Sequence, residues 1–469
     1  MVFSSMAFLC AFFPVVFLLY YVVPGIRTRN ILLIIASLFF YAYGEPVYVI
    51  LMLASTLENY LLGRLIEGSE GGGKKFWMII TIAANLGMLG VFKYADMFIG
   101  TANGIFDLSL KLPGIDLPVG ISFFSFQAMS YVIDVYREEV KAQKNYLNIL
   151  LYISFFPQLI AGPIVKYHDI QEQIVRRSAD AEEIAKGIRR FAIGLGKKIL
   201  ISNTAALAAD AVFSLSSGEV NILSAWTGAL AYMMQIYFDF SGYSDMAIGM
   251  GHMFGFTFQE NFRYPYISVN IQEFWHRWHI SLSTWFKEYL YIPLGGNRKG
   301  RVRTCVNKLI VFFTTGLWHG ASWTFVVWGM FHGLFLLLEE WLPVKKLPRA
   351  LGHVYTFLVV CIGFVIFRAD TLAQGIHMTG QMFVGFHFDH VSMALFQNQM
   401  TPLFIVTMLA AFVFMCPVKE VIESRIQKGS KRFRTLVETA GYAGSVFLII
   451  LSMMTLAGGT YNPFIYFRF

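Results

Sequence analysis

The sequence predicts an all-α, polytopic integral membrane protein, and three observations predict it. The first is composition. Of 469 residues, 56% are hydrophobic and 14% charged, and the mean hydropathy is +0.57, whereas a soluble domain carries about 25% charged residues. No core of this size could hide so much apolar side chain from water. An ordinary soluble enzyme is excluded, and so is a disordered or fibrous chain. The second observation is that the apolar residues gather into stretches of membrane-crossing length. The third is that the basic residues fall in short runs between those stretches. The formal charge of +8 and the pI of 9.1 therefore point to loops facing anionic lipid, and not to nucleic acid.

A helix crossing the hydrocarbon core needs about 20 residues, fewer where neighbours cover its ends. Apolar segments lie near 5–24, 31–43, 47–66, 76–94, 119–136, 198–214, 223–254, 304–319, 323–341, 351–368, 401–417 and 438–456. They make about eleven or twelve spans. The first stretch, Phe8 to Pro24, is too long for a cleavable signal and has no basic leader. Segment 146–163 carries Pro157, Gly162 and Pro163 with basic residues on both sides. A re-entrant hairpin returning to the same face fits it. The run Gly71-Gly72-Gly73 is a loop, because no Lys-Ser or Lys-Thr follows to make a phosphate cradle. Cys10, Cys305, Cys361 and Cys416 lie in or beside apolar stretches without disulfide or metal spacing. With no internal repeat and no long linker, one membrane domain over 1–469 is expected.

The positive-inside rule orients these spans. Arg27 and Arg29, Lys74 and Lys75, and Arg137 through Lys144 would be cytoplasmic. So would Lys166 to Lys198, Arg263 to Lys308, Lys345 to Arg349 and Lys419 to Arg434. The loop 95–118 instead sets Asp96, Asp107 and Asp116 against Lys111, and Ala369 to Val418 holds no Lys or Arg. The alternation places both termini outside.

An ionisable group at membrane depth is costly unless it is paired or wet, which marks it as a functional candidate. Three places qualify. In Trp318-His319-Gly320, between two apolar segments, small residues (Gly316, Gly320, Ala321, Ser322) surround His319 and allow close approach of a backbone or a substrate. A neutral imidazole there can take and return a proton, or it can bond between helices. The stretch Glu273 to His279, continuing through Ser281, Ser283, Trp285, Lys287 and Glu288, would as a helix put His276 and His279 on one face, and Trp275 and Trp278 likewise. No third ligand accompanies the two histidines, so no metal is expected. This basic, aromatic stretch could admit an anionic, nucleotide-bearing donor or serve as an amphipathic anchor. The third place is Asp239, Ser241, Tyr243 and Asp245, which read as a polar pocket or a structural network. Trp318, Trp278, His276, Arg277, Ser283, Asp239 and Asp245 are the candidate substrate-binding residues. Glu58 and Asn59 read as structural, His377, His387 and His390 as solvated or packed, and His252, His332 and His353 as packing residues.

Residues 464–469 read Phe-Ile-Tyr-Phe-Arg-Phe. Leaving these side chains in water costs up to roughly 1.5–3 kcal/mol each, so the tail is expected to fold back into a groove, an external-facing one, carrying a phenol towards membrane depth.

Several segments resemble the membrane-bound O-acyltransferase (MBOAT) superfamily, and most closely its bacterial branch that O-acetylates alginate and peptidoglycan. They are Met1 to Ser5, Phe155 to Pro163, Asp239-Phe-Ser-Gly-Tyr-Ser-Asp245, Glu273 to Gly296, Gly316-Leu-Trp-His-Gly320 and Phe367-Arg-Ala369. They run the length of the chain in the family's order. The resemblance implies an MBOAT fold with re-entrant segments around a central tunnel, in a bacterial cytoplasmic membrane. It implies His319 as the family's catalytic histidine and His279 as its second, more cytoplasmic histidine. The tail resembles the Phe-x-Tyr-x-x-Phe motif of these systems at Phe464, Tyr466 and Phe469, which implies Tyr466 as an acyl relay. Acetyl-CoA is the implied donor substrate, with no tightly bound cofactor. An extracytoplasmic SGNH-type protein is the implied partner, passing the acyl group to a glycan. D-alanyl transfer from a carrier protein is the alternative within enzymes. A transporter would show paired halves, which are not found here, and a non-catalytic scaffold of the acetylation complex is the remaining class.

Overall fold

The computed structural model describes residues 1–160, 162–459 and 461–465. The described residues form helices and no strand. Each expected apolar segment is helical, including Ile26–Ala42, Tyr48–Glu67, Ile121–Tyr136, Arg301–His319, Trp323–Trp341 and Arg349–Arg368. Four helices among the described residues are by themselves long and apolar enough to cross a membrane: Tyr48–Glu67, Gly71–Phe106, Arg349–Arg368 and Lys431–Gly458. The pair His390–Gln399 and Pro402–Phe414, bent by 63°, makes a fifth if it is one broken span. The remaining apolar helices are shorter or more polar than that, and Phe8–Val22 is one of the short ones.

Contacts divide the chain into two compact units, residues 1–191 with 246–259, and residues 192–245 with 260–469. In the first, Tyr48–Glu67 packs on Gly71–Leu89 and on Ile121–Tyr136. Its fully buried Asn59 and nearly buried Asn85 meet through their side-chain amides at 2.9 and 3.3 Å, so two polar groups in an apolar layer satisfy one another. Segment 146–163 is helical over Tyr146–Ser154, breaks at Phe155 and resumes over Phe156–Leu159. Pro157 sits at the start of the second piece, where its missing N–H costs nothing.

In the second unit, helices Arg301–His319 and Trp323–Trp341 form a hairpin. A Cβ on Gly329 would collide with the Phe312 carbonyl oxygen, and one on Gly316 with that of Phe325. The two backbones therefore touch, as small residues allow within membranes. Ser322 caps the second helix by accepting from the Thr324 N–H at 3.3 Å.

Five segments differ from their sequence-based reading. Gly71-Gly72-Gly73, read as a loop, opens the helix Gly71–Leu89, and 95–118, read as an external loop, is helical over Ala95–Phe106. Residues 369–400, read as part of an external loop, hold helices Leu372–Val384 and His390–Gln399, capped by Thr371 and Asp389. The basic run 166–198 holds Tyr167–Val175 and Ala181–Gly196. Residues 273–288 are not one helix. Ile271–Arg277 stops at Trp278, His279 takes a left-handed conformation with φ 46°, and Ile280–Phe286 begins anew.

Candidate active site

His319 is the last residue of its helix, and Gly320 after it is extended with φ −172°. This end of the glycine-packed hairpin holds the imidazole among rings, 6% exposed. Its ring centroid lies 5.0 Å from Trp328 and 5.3 Å from Phe367, both edge-on, and 5.0 Å from Trp318. His319 lines a cavity of about 10 Å³ with Phe240, Trp278, Trp328, Phe367 and Ile465 among its walls. That is room for about one water.

The left-handed turn at His279 points its ring into the same region. Its centroid is 6.3 Å from that of His319 and 5.7 Å from that of Trp318, and it is fully buried. Asn261, also fully buried, holds it: Asn261 Oδ1 lies 3.2 Å from His279 Nδ1. The same oxygen accepts from the backbone N–H of Ser281 at 3.2 Å and from the Ser281 hydroxyl at 2.9 Å, while Nδ2 donates to Ser244 Oγ at 3.1 Å. A backbone N–H can only donate, so Oδ1 is the acceptor and His279 Nδ1 must carry the proton. In the neutral ring the lone pair is then on Nε2, which has no hydrogen-bond partner among the described residues.

A larger cleft of about 940 Å³ lies in the same unit. Its lining includes His276, Ser283, Lys287, Arg301 and Trp275, together with Glu339 and the ion pair of Lys308 with Glu340. Trp275 packs edge-on against Trp328 at 5.7 Å. One tryptophan lines the cleft, and the other lines the His319 cavity.

The structure thus sorts the candidate residues. Trp278, His279, Trp318 and His319 come together, whereas His276 and Ser283 belong to the cleft. Arg277 is held by Glu273 at 2.9 Å and by the Arg263 carbonyl. Asp245 pairs with Lys197 at 2.7 Å and Asp239 with Lys198 at 2.6 Å. The tail enters this unit as expected: Phe464 packs on Tyr243 with centroids 4.7 Å apart, and the Ile465 N–H donates to Asp239 Oδ2 at 2.9 Å. Tyr466 and Phe469 lie outside the described residues. Of the other histidines, His252 is held by Glu183, His353 by the Ser268 carbonyl and His377 by the Ser217 carbonyl, while His332 is buried and stacked on Phe274.

Sequence reasoning missed Asn261 and Lys198, whose partners are distant along the chain. Among the described residues, Asp134, Glu139 and His168 have metal-ligand spacing. Both His168 nitrogens face carboxylates, Asp134 at 3.0 Å and Asp169 at 3.2 Å.

The site is therefore a small, ring-lined cavity at His319 with the His279 imidazole beside it, and a larger cleft lies one tryptophan layer away. Residues 119–368 match the MBOAT, membrane-bound O-acyltransferase family. The chain is 39% identical to a probable alginate O-acetylase AlgI of Pseudomonas putida over 100% of both chains. It is 45% identical to a probable alginate O-acetylase AlgI of Pseudomonas aeruginosa, over 82% of this chain and 75% of the other. It is 36% identical to a peptidoglycan O-acetyltransferase of Helicobacter pylori, over 80% and 78%. The chain belongs to the membrane-bound O-acyltransferase family and is a membrane O-acyltransferase.

Proposed function

We propose that this enzyme takes an acetyl group from cytoplasmic acetyl-CoA and passes it through the bacterial cytoplasmic membrane, by way of Tyr466, to an extracytoplasmic SGNH-type partner. The partner then O-acetylates a cell-envelope or exported polysaccharide. The relatives named above, alginate and peptidoglycan O-acetylating enzymes, support this substrate class. One observation carries the tyrosine step: Ile465 stands in the wall of the cavity that His319 lines, and the next residue along the chain is Tyr466.

The cleft receives the phosphates of the donor at Lys287 and Arg301, and the thioester reaches past Trp275 and Trp328 towards His319. A phenol with a pKa of about 10 is protonated at neutral pH and needs a base. His319 takes the phenolic proton as the oxygen attacks the thioester carbonyl. The carbon–sulfur bond breaks, the thiolate leaves as CoA and takes up a proton, and an acyl-tyrosine ester remains. His279, its Nδ1–H fixed by Asn261, offers the Nε2 lone pair as an acceptor that orients an N–H group of the donor, and the proton that the thiolate takes up is the one His319 removed from the phenol. A serine of the partner then attacks the ester and regenerates the phenol. Net hydrolysis is avoided only if the acyl group itself fills the space at His319, which has room for about one water and leaves none once it is occupied.

Mass spectrometry of the purified chain with isotope-labelled acetyl-CoA tests this. Label is expected on the peptide carrying Tyr466, absent in Tyr466→Phe. In His319→Ala it should fall by about 10²–10⁴-fold, the usual worth of a general base. Native labelling of the partner by His319→Ala would remove the catalytic role. Partner labelling without label on the tail would replace the relay by direct transfer.

A further inference from the structure

The tyrosine-relay reading leaves open what holds the tail in one register so that a single residue reaches the cavity. Lys198 and Asp239 form an ion pair in which both residues are only 1% exposed. Burying two charges is costly, and such pairs persist where they also make further bonds. Here each charge has a second partner on the tail backbone. Lys198 Nζ donates to the Pro463 carbonyl, and Asp239 Oδ2 accepts from the Ile465 N–H at 2.9 Å. Acceptor and donor on alternate tail residues are thus gripped by one donor and one acceptor that hold each other in place.

Three side chains add a check on register. Tyr461 donates to Asp210 Oδ2 at 2.6 Å, and Asp210 is itself paired with Arg368. Asn203 donates to Asn462 Oδ1 at 3.3 Å. Phe464 packs on Tyr243. A slip of one residue would leave the backbone grips chemically possible but misplace all three. Lys198 sits on a π-helical turn, Lys197–Ser202, a feature concentrated at functional sites. Gly242 lets Asp239's helix come close: a Cβ there would meet the Gly194 carbonyl oxygen at 2.7 Å and the Lys198 nitrogen at 3.2 Å.

We propose that Lys198 and Asp239 are positioning residues, a buried clamp on the backbone of residues 463 and 465 that sets the register of the tail and so presents Tyr466 to His319. This rests on the relay reading. The clamp acts through the Ile465 N–H, which proline removes without touching the ion pair. The test compares Ile465→Pro, Ile465→Val and the double variant Lys198→Met/Asp239→Leu in the full-length chain. Two readouts are taken: carboxypeptidase digestion of the C-terminus, followed by intact mass, and label from acetyl-CoA on the Tyr466 peptide. Ile465→Val trims the side chain in the cavity wall but keeps the N–H, so it is the reference for Ile465→Pro, which should be digested faster and labelled less than it by about tenfold, as should the double variant against the native chain, as expected for a lost bond to a charged group. An ion pair serving only the stability of the unit would leave Ile465→Pro and Ile465→Val alike in both readouts, which overturns the clamp. Should the double variant fail to fold, the proline–valine comparison still decides. If native chain takes no label at Tyr466, the relay reading fails, and the digestion rates alone still test the clamp.

Discussion

At the scale of single residues, Asn261 determines what His279 can do. Its Oδ1 is fixed as an acceptor by the Ser281 N–H, and this places a proton on Nδ1 and a lone pair on Nε2. Replacing Asn261 with Ala removes the acceptor of a fully buried ring nitrogen, at a cost of roughly 1–3 kcal/mol. It also frees the ring to take the other tautomer. The expected outcome is a lower melting temperature together with a kcat for acyl transfer reduced by about tenfold, the orientation of a reactant being worth at least that much. The KM for acetyl-CoA should hardly change, because the cleft proposed for its phosphates does not include Asn261 or His279. A variant that loses stability but keeps the native kcat would reduce His279 to a packing residue. His319 was legible in the sequence, as a histidine ringed by glycines between two apolar segments. Asn261 was not, since it carries no motif and its partners stand at 244, 279 and 281. Lys198 was counted only as one more loop cation, because its meaning depends on a tail more than 260 positions away.

At the scale of elements, the hairpin of Arg301–His319 and Trp323–Trp341 controls where the imidazole stands. Gly329 lies against the Phe312 carbonyl, a backbone contact that no side-chain rotation can relieve. Gly329→Ala must therefore part the helices, at a cost of about 1–3 kcal/mol or more, and move the end that carries His319. Low folding yield and loss of transfer are expected. Gly87, in Gly71–Leu89, has nothing within 4 Å of an added Cβ. Gly87→Ala should stabilise by up to about 1 kcal/mol, read as a higher melting temperature with unchanged transfer. Equal effects of the two substitutions would show that hairpin contact is not what positions the site. Helices of this hairpin kind were legible because long apolar runs in lipid have little alternative to a helix. The break at Trp278–His279 was not legible, since helical spacing continues through it. The non-glycine left-handed residue is held there by Asn261, whose backbone carbonyl also accepts from the Ile280 N–H at 2.9 Å. Helices Leu372–Val384 and His390–Gln399 were missed because neither is long enough to read as a span, and a segment without Lys or Arg read as loop.

At the scale of the whole molecule, the proposed reaction requires sidedness: a nucleotide thioester is made on one side of the membrane and the glycan is acetylated on the other. The charge pattern supplies a direction. Residues 263–308, which contribute His276, Ser283, Lys287, Arg301 and Lys308 to the cleft, belong to a basic run, and basic loops are retained in the cytoplasm. Residues 95–118, a helix to Phe106 and then a loop, carry three Asp and one Lys and are expected outside. Asp107 and Asn297 are both exposed, so a cysteine at either can react with a maleimide. With Cys10, Cys305, Cys361 and Cys416 replaced by Ala, Asp107→Cys should label with a membrane-impermeant maleimide in intact cells. Asn297→Cys should label only after the membrane is opened. The reverse pattern would put the cleft on the side without acetyl-CoA and exclude it as the donor site. Labelling of both in intact cells would place the two loops on one face and break the alternation from which the orientation is inferred. The expected pattern puts the cleft in contact with the donor pool. A molecule with its donor cleft inside must then deliver the acyl group outward, which a narrow, ring-lined cavity and a tail-borne phenol can do without opening a broad water path.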